Sequence, residues 1–181
     1  RIARLANLTG VVDDFSTTIK EELDFRSEGR NMDEFNEIMR KHSFDKQVVA
    51  PKVYWDFTTE RLLCMERFYG IKADDVEAAQ GQGIDTEKWL RIGMRAWNLS
   101  MMLHRCFHGD IHAGNLMFLP KRDQIGFIDF GIVGRFDAEQ RMHVLRYVLA
   151  FTTQNYRELA NVMVEIESVS VDVDIDAMAA D

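Results

Sequence analysis

Apolar Ile19, Leu23, Met32, Phe35 and Met39 recur mostly at steps of three and four, predicting a helix from Phe15 to Met39 with Gly29 as its weak point. Val53-Tyr54-Trp55 and Leu62-Leu63-Cys64-Met65 flank the polar bend from Asp56 to Glu60, so the stretch from Val48 to Glu66 is expected to be a β-hairpin. Gly70 to Gly83 is expected to be loop, with at most one helical turn. From Glu87 to Arg105 apolar residues occur nearly all round. That pattern predicts a helix buried in the centre of a domain, capped by Asp85 or Thr86. Two short apolar strands follow, Leu116 to Leu119 and Ile125 to Ile128, joined by the turn Pro120-Lys121-Arg122-Asp123. Two closing helices are announced by Asp137 with Gln140 and by Asn155 with Glu158, at capping-box spacing or near it.

Composition narrows the function classes. Of 181 residues, 46% are hydrophobic and 12 are Phe, enough to build a core and to exclude a disordered chain. A net charge of −8 argues against nucleic-acid binding, which draws its affinity from basic surface. The two cysteines, Cys64 and Cys106, lie far apart and are expected to be reduced core residues in a cytosol-facing compartment. No apolar run approaches the ~20 residues a membrane-spanning helix needs. The chain starts without Met and ends in an acidic stretch, so it is expected to be a fragment of a longer protein. Gly81-Gln82-Gly83 lacks a third glycine and a preceding strand, and is expected to be ordinary loop. His42, His104 and His143 show no metal-ligand spacing and are expected at the surface or in packing.

The chemistry-bearing stretch is His108-Gly109-Asp110-Ile111-His112-Ala113-Gly114-Asn115. The midpoint of Asn115 and Asp129 is residue 122, inside the turn, so a hairpin folded there sets the two side by side at its open end. An amide oxygen beside a carboxylate offers hard ligands of the kind Mg²⁺ prefers. Asp110, on the same loop, adds a third oxygen group.

His108-x-Asp110-x₄-Asn115 followed by Asp129-Phe130-Gly131 resembles the catalytic loop and metal-binding motif of the protein-kinase-like fold. The resemblance implies Asp110 as the base and Asn115 with Asp129 as magnesium ligands for ATP. Gly109 stands where Arg is usual, and His112 where Lys is usual, with a phosphate as its implied contact. The only prolines are Pro51 and Pro120, so the Ala-Pro-Glu motif of regulated protein kinases is missing. His-Gly-Asp-x-His-x-Gly-Asn is shared by aminoglycoside/choline phosphotransferases and by UbiB/AarF-type atypical kinase-like proteins. Glu21-Glu22-Leu23-Asp24-Phe25-Arg26-Ser27-Glu28-Gly29-Arg30-Asn31, then Phe35, resembles the family-specific Glu-x-Asp segment of the second group. Spacing alone places Glu21, Asp24 and Glu28 on one helical face, where like charges repel. The resemblance pairs Glu28 with a strand lysine, and Glu22 with Asp24 to a lysine of a Lys-x-Gly-Gln motif, both lysines preceding Arg1.

Together these readings imply an α+β, protein-kinase-like fold. Residues 1–69 would be a partial small lobe of helix and hairpin, and 70–181 a mainly helical partial large lobe. Adenine would meet backbone groups near Glu66 to Phe68. The implied activity is ATP- and Mg²⁺-dependent phosphoryl transfer or ATP hydrolysis, tied by the resemblance to ubiquinone or isoprenoid-lipid pathways. The implied location is cytoplasmic or peripheral at a membrane, and the isolated fragment is expected to be inactive. A small-molecule phosphotransferase and a non-catalytic nucleotide-sensing scaffold are the competing readings.

Overall fold

A computed structural model describes residues 24–104 and 106–166; the first part of the expected first helix, and Glu21 and Glu22 with it, lie outside the described residues. Helix α1, Phe25–Lys41, begins at the N-cap Asp24, whose carboxylate accepts from the Arg26 amide. Asp24 is extended backbone and the cap, so it does not share a helical face with Glu28 as the spacing suggested. The helix runs unbroken through Gly29. A Cβ there would lie 3.0 Å from the Trp55 ring and 3.3 Å from Val53, so close packing requires the glycine.

Of the hairpin expected from Val48 to Glu66, the antiparallel return from Lys52 to Glu66 is present, but it does not form a continuous ladder. Within it the Tyr54 amide donates to the Cys64 carbonyl and the Glu66 amide to the Lys52 carbonyl, at 2.8 Å each. Strand β1 is only Val48–Val49, and it pairs in parallel with a distant strand. The rest keeps two isolated bridges, Val53 with Met65 and Thr59 with Leu62, around a 3₁₀ turn at Trp55–Phe57. The cause is tertiary: the Trp55 indole N–H donates to Asp33 at 2.7 Å and its ring lies on α1 at Gly29. This contact bends the arm out of the pleat. The expected loop from Gly70 to Gly83 holds strand β2, Ile71–Lys72, and helix α2, Val76–Gly81, capped by Asp75.

Helix α3, Thr86–Leu103, is capped by Asp85. It is not buried all round. Trp89, Gly93, Ala96 and Ser100 form its buried face, while Leu90, Met94 and Leu103 are exposed. Small residues let the backbone approach the sheet: a Cβ on Gly93 would stand 3.1 Å from Ile125 and 3.6 Å from Phe127. Strand β3, Cys106–His108, leads through a 3₁₀ turn at Ala113–Asn115 into β4, Leu116–Leu119, and β5, Gln124–Phe127. Strand β6, Val133–Arg135, precedes α4, Ala138–Thr152, and α5, Tyr156–Glu165. The capping box of Asp137 with Gln140 forms as expected, and Asn155 caps α5.

One sheet has the order β1-β5-β4-β2, and β3 pairs with β6 in a second. The core lies between α1, α3 and the first sheet, where Phe35 meets the rings of Phe127 and Phe130 at 5.1 Å each. Each such fully buried ring contributes roughly 1.5–3 kcal/mol by removal from water. Cys106 is buried and Cys64 half-buried, both as free thiols. Among the described residues no helix is long and apolar enough to cross a membrane.

Candidate active site

The hairpin β4–β5 brings the metal-binding candidates to one end, but in a register one residue different from that expected. Leu116 faces Phe127, so Asn115 faces Ile128, whose amide donates to the Asn115 carbonyl at 2.9 Å. A slip of one residue in a pleated strand sends a side chain to the opposite face. Asp129 escapes that fate because it leaves the pleat with φ of +62°. Ile128 and Asp129, though adjacent, therefore both line one cleft of about 530 Å³ with Phe25, Glu28, Leu62, Leu63 and Met65.

His108 organises the loop. It is 1% exposed. Its Nδ1 accepts from the Asp110 amide at 3.2 Å, so its Nε2 carries the proton and donates to the Ile128 carbonyl at 3.0 Å. One neutral imidazole thus ties the loop to the residue before Asp129. Burial pushes the His108 pKa below its ordinary value, which keeps it in that form. Trp97 on α3 donates its indole N–H to the His108 carbonyl at 2.9 Å. These tethers were invisible in sequence, where His108 was only the first letter of a motif.

Gly109 sits against β6 and donates its amide to the Ile132 carbonyl at 2.9 Å. A Cβ there would lie 3.0 Å from the Ile132 side chain and 3.2 Å from its carbonyl oxygen, so any larger residue requires these neighbours to give by a few tenths of an ångström. Asn115 is 6% exposed and donates Nδ2 to the Asp110 carbonyl at 3.1 Å and to its Oδ2 at 3.5 Å. Its side-chain oxygen Oδ1 has no hydrogen-bond donor among the described residues. The exposed Asp110 lies 3.6 Å from His112 Nε2, and His112 Nδ1 accepts from the Gly114 amide at 3.1 Å.

Glu28 reaches the same cleft from α1. Burial, then the nearby Asp129 charge, raises its pKa, against a hydrogen bond from the Phe130 amide that lowers it. Asp24 is elsewhere engaged: the Arg26 guanidinium, 2.9 Å away, holds its pKa down. Glu66 pairs with Arg122 at 2.7 Å and donates its amide to the Lys52 carbonyl at 2.8 Å. Phe68 is buried against Gly126 under Arg122. Neither side chain lines the cleft of Glu28 and Asp129. The donor set of the loop suits Mg²⁺. It offers an amide oxygen and a carboxylate, both hard, and that ion takes only one or two protein ligands.

A sequence model of the ABC1 atypical kinase-like domain matches residues 1–163. An aarF domain-containing protein kinase of Arabidopsis thaliana, described as chloroplastic, is 32% identical over 97% of the chain and 32% of its own length. A probable protein kinase UbiB of Cellvibrio japonicus is 31% identical over 94% of the chain and 31% of its own length. The chain thus spans about a third of these relatives. Among solved structures, the Rv3197–erythromycin complex from Mycobacterium tuberculosis superposes with a TM-score of 0.61 at 24% identity, over 87% of this chain and 39% of that one.

Proposed function

From the premise that this chain belongs to the ABC1 atypical kinase-like family, we propose that it is the metal-holding part of an ATP- and Mg²⁺-dependent kinase or ATPase. The chain has the kinase-like fold of that family. Asn115 and Asp129 would hold the metal, which when bound offsets phosphate charge. The observation that carries the reading is the pairing of two facts. Asn115 spends its amide nitrogen on Asp110, leaving an oxygen for the cation, and Asp129 is turned into the cleft by its left-handed backbone.

Asp110 is exposed and within reach of His112, so it can orient an acceptor group and take its proton. His112, held by its Nδ1, presents Nε2 toward Asp110 and can bear on a phosphate. Glu28, Glu22 and Asp24 belong to the nucleotide side of this reading, Glu28 by its place in the cleft and the other two by the family pattern. Backbone near Glu66 to Phe68, between a partial small lobe at 1–69 and a partial large lobe at 70–181, is proposed for adenine. A role in ubiquinone or isoprenoid-lipid metabolism, at a membrane surface, is part of the proposal and rests on the resemblance.

The test is Asp129→Asn in the full-length protein. Loss of Mg²⁺-dependent nucleotide stabilisation and of ATP turnover is expected. Unchanged stabilisation and turnover would refute the assignment.

A further inference from the structure

Phe130 follows the left-handed Asp129, and what holds its backbone also holds the carboxylate before it. Helix α1 grips the backbone of this residue through Asn31, whose Nδ2 donates to the Phe130 carbonyl at 3.0 Å. The Phe130 ring is buried against Phe35 at 5.1 Å and His108 at 4.9 Å. Asn31 is fixed from its other end. Its Oδ1 accepts from Arg135 Nη2 at 3.1 Å, and Arg135 is itself paired with Glu34 at 2.9 Å. The amide therefore cannot flip, because each of its atoms has a partner of the right polarity.

We infer that Asn31 is a positioning residue for the metal-holding carboxylate, locking Phe130 to α1 so that Asp129 stays aimed into the cleft. The inference rests on the reading of Asp129 as a metal ligand. It adds a route by which movement of α1 reaches the metal site. Asn31 does not line the cleft of Glu28 and Asp129; it bears on it through Phe130 and, by way of Arg135, through β6.

The test compares full-length wild type with Asn31→Ala, Asn31→Asp and Arg135→Gln. Asn31→Asp puts an oxygen where the donor faces the Phe130 carbonyl, and Arg135→Gln removes the outer anchor at an exposed position. In metal-free protein, hydrogen exchange at Phe130 and Gly131 is expected to rise about tenfold in both Asn31 variants, the equivalent of one lost hydrogen bond. Exchange in β4 and β5 should stay unchanged. The Mg²⁺ concentration that half-saturates ATP-induced stabilisation should rise several-fold, most in Asn31→Asp, and Arg135→Gln should shift both readouts the same way by less. Unchanged exchange at 130–131, or an equal rise across β4 and β5, would overturn the inference. Should the Asn31 variants fail to fold, Arg135→Gln decides by the same criteria. Wild type without Mg²⁺-dependent ATP binding would refute the proposed function, whereas normal wild-type binding with unmoved variants would refute only the role of Asn31.

Discussion

Gly134 is the position where one methyl group should do most damage to the loop. It is the direct cross-strand partner of Phe107. A Cβ there would fall 2.1, 2.5 and 2.7 Å from three atoms of the Phe107 ring. That ring cannot easily swing aside, since Phe136 packs on it at 4.7 Å and Trp97 meets it edge-on at 6.2 Å. Gly134→Ala must therefore push β6 away from β3, an overpacking that costs typically about 1–3 kcal/mol. For a chain of this size that corresponds to a fall in Tm of roughly 2–12 °C. The same displacement would loosen the Gly109–Ile132 hydrogen bond, so in the full-length protein nucleotide-induced stabilisation should fall beyond the loss in Tm. Phe107→Leu in the Gly134→Ala background removes the clashing ring edge, and should recover part of the lost stability even though Phe107→Leu alone is destabilising. Thermal and urea unfolding of the four proteins completes the cycle. A Gly134→Ala protein within 1 °C of wild type, roughly 0.3–0.5 kcal/mol by the same scaling, or a double variant no better than the sum of the singles, would refute the steric argument.

Two further outcomes concern protonation. The folded His108 pKa lies below its ordinary value of 6.5, so the unfolded chain binds the proton first as pH falls; stability should decline below pH 6.5, less steeply in His108→Gln, and equal slopes in urea unfolding would count against the imidazole bridge. Glu28 is shifted the other way, so ionising it costs stability once pH rises above its ordinary 4.5. In metal-free protein of this sequence Glu28→Gln should unfold later than wild type at pH 7, and the gap should close below pH 4.5. A Gln variant less stable at both pH values would show that the Phe130 hydrogen bond outweighs burial and repulsion.

Local code was legible where neighbours in sequence settle the matter. The caps at Asp85, Asp137 and Asn155, the hairpin β4–β5 and the two closing helices need only residues a few positions apart. Spacing also put Asn115 and Asp129 at one hairpin mouth. What spacing could not supply was the register, because loop length and turn type set it: here the ladder ends at Leu119 with Gln124 and the loop between them closes with Asp123 in the left-handed region. Nor could it supply the +62° φ at Asp129 that corrects for it. The hairpin expected from Val48 to Glu66 forms only as an interrupted pair of bridges for a similar reason: Trp55 satisfies its N–H on α1, and no local rule foresees a partner 22 residues away.

The capped helices, the hairpin β4–β5 and the separation of Asn115 from Asp129 along the chain were therefore settled by the amino acids alone, since these depend on torsional preference and short-range hydrogen bonding. The placing of those two side chains was decided only by the folded molecule. His108 reaches Ile128 and Asn31 reaches Phe130 across 20 and 99 residues, and contacts of that span exist only after the core has closed around them.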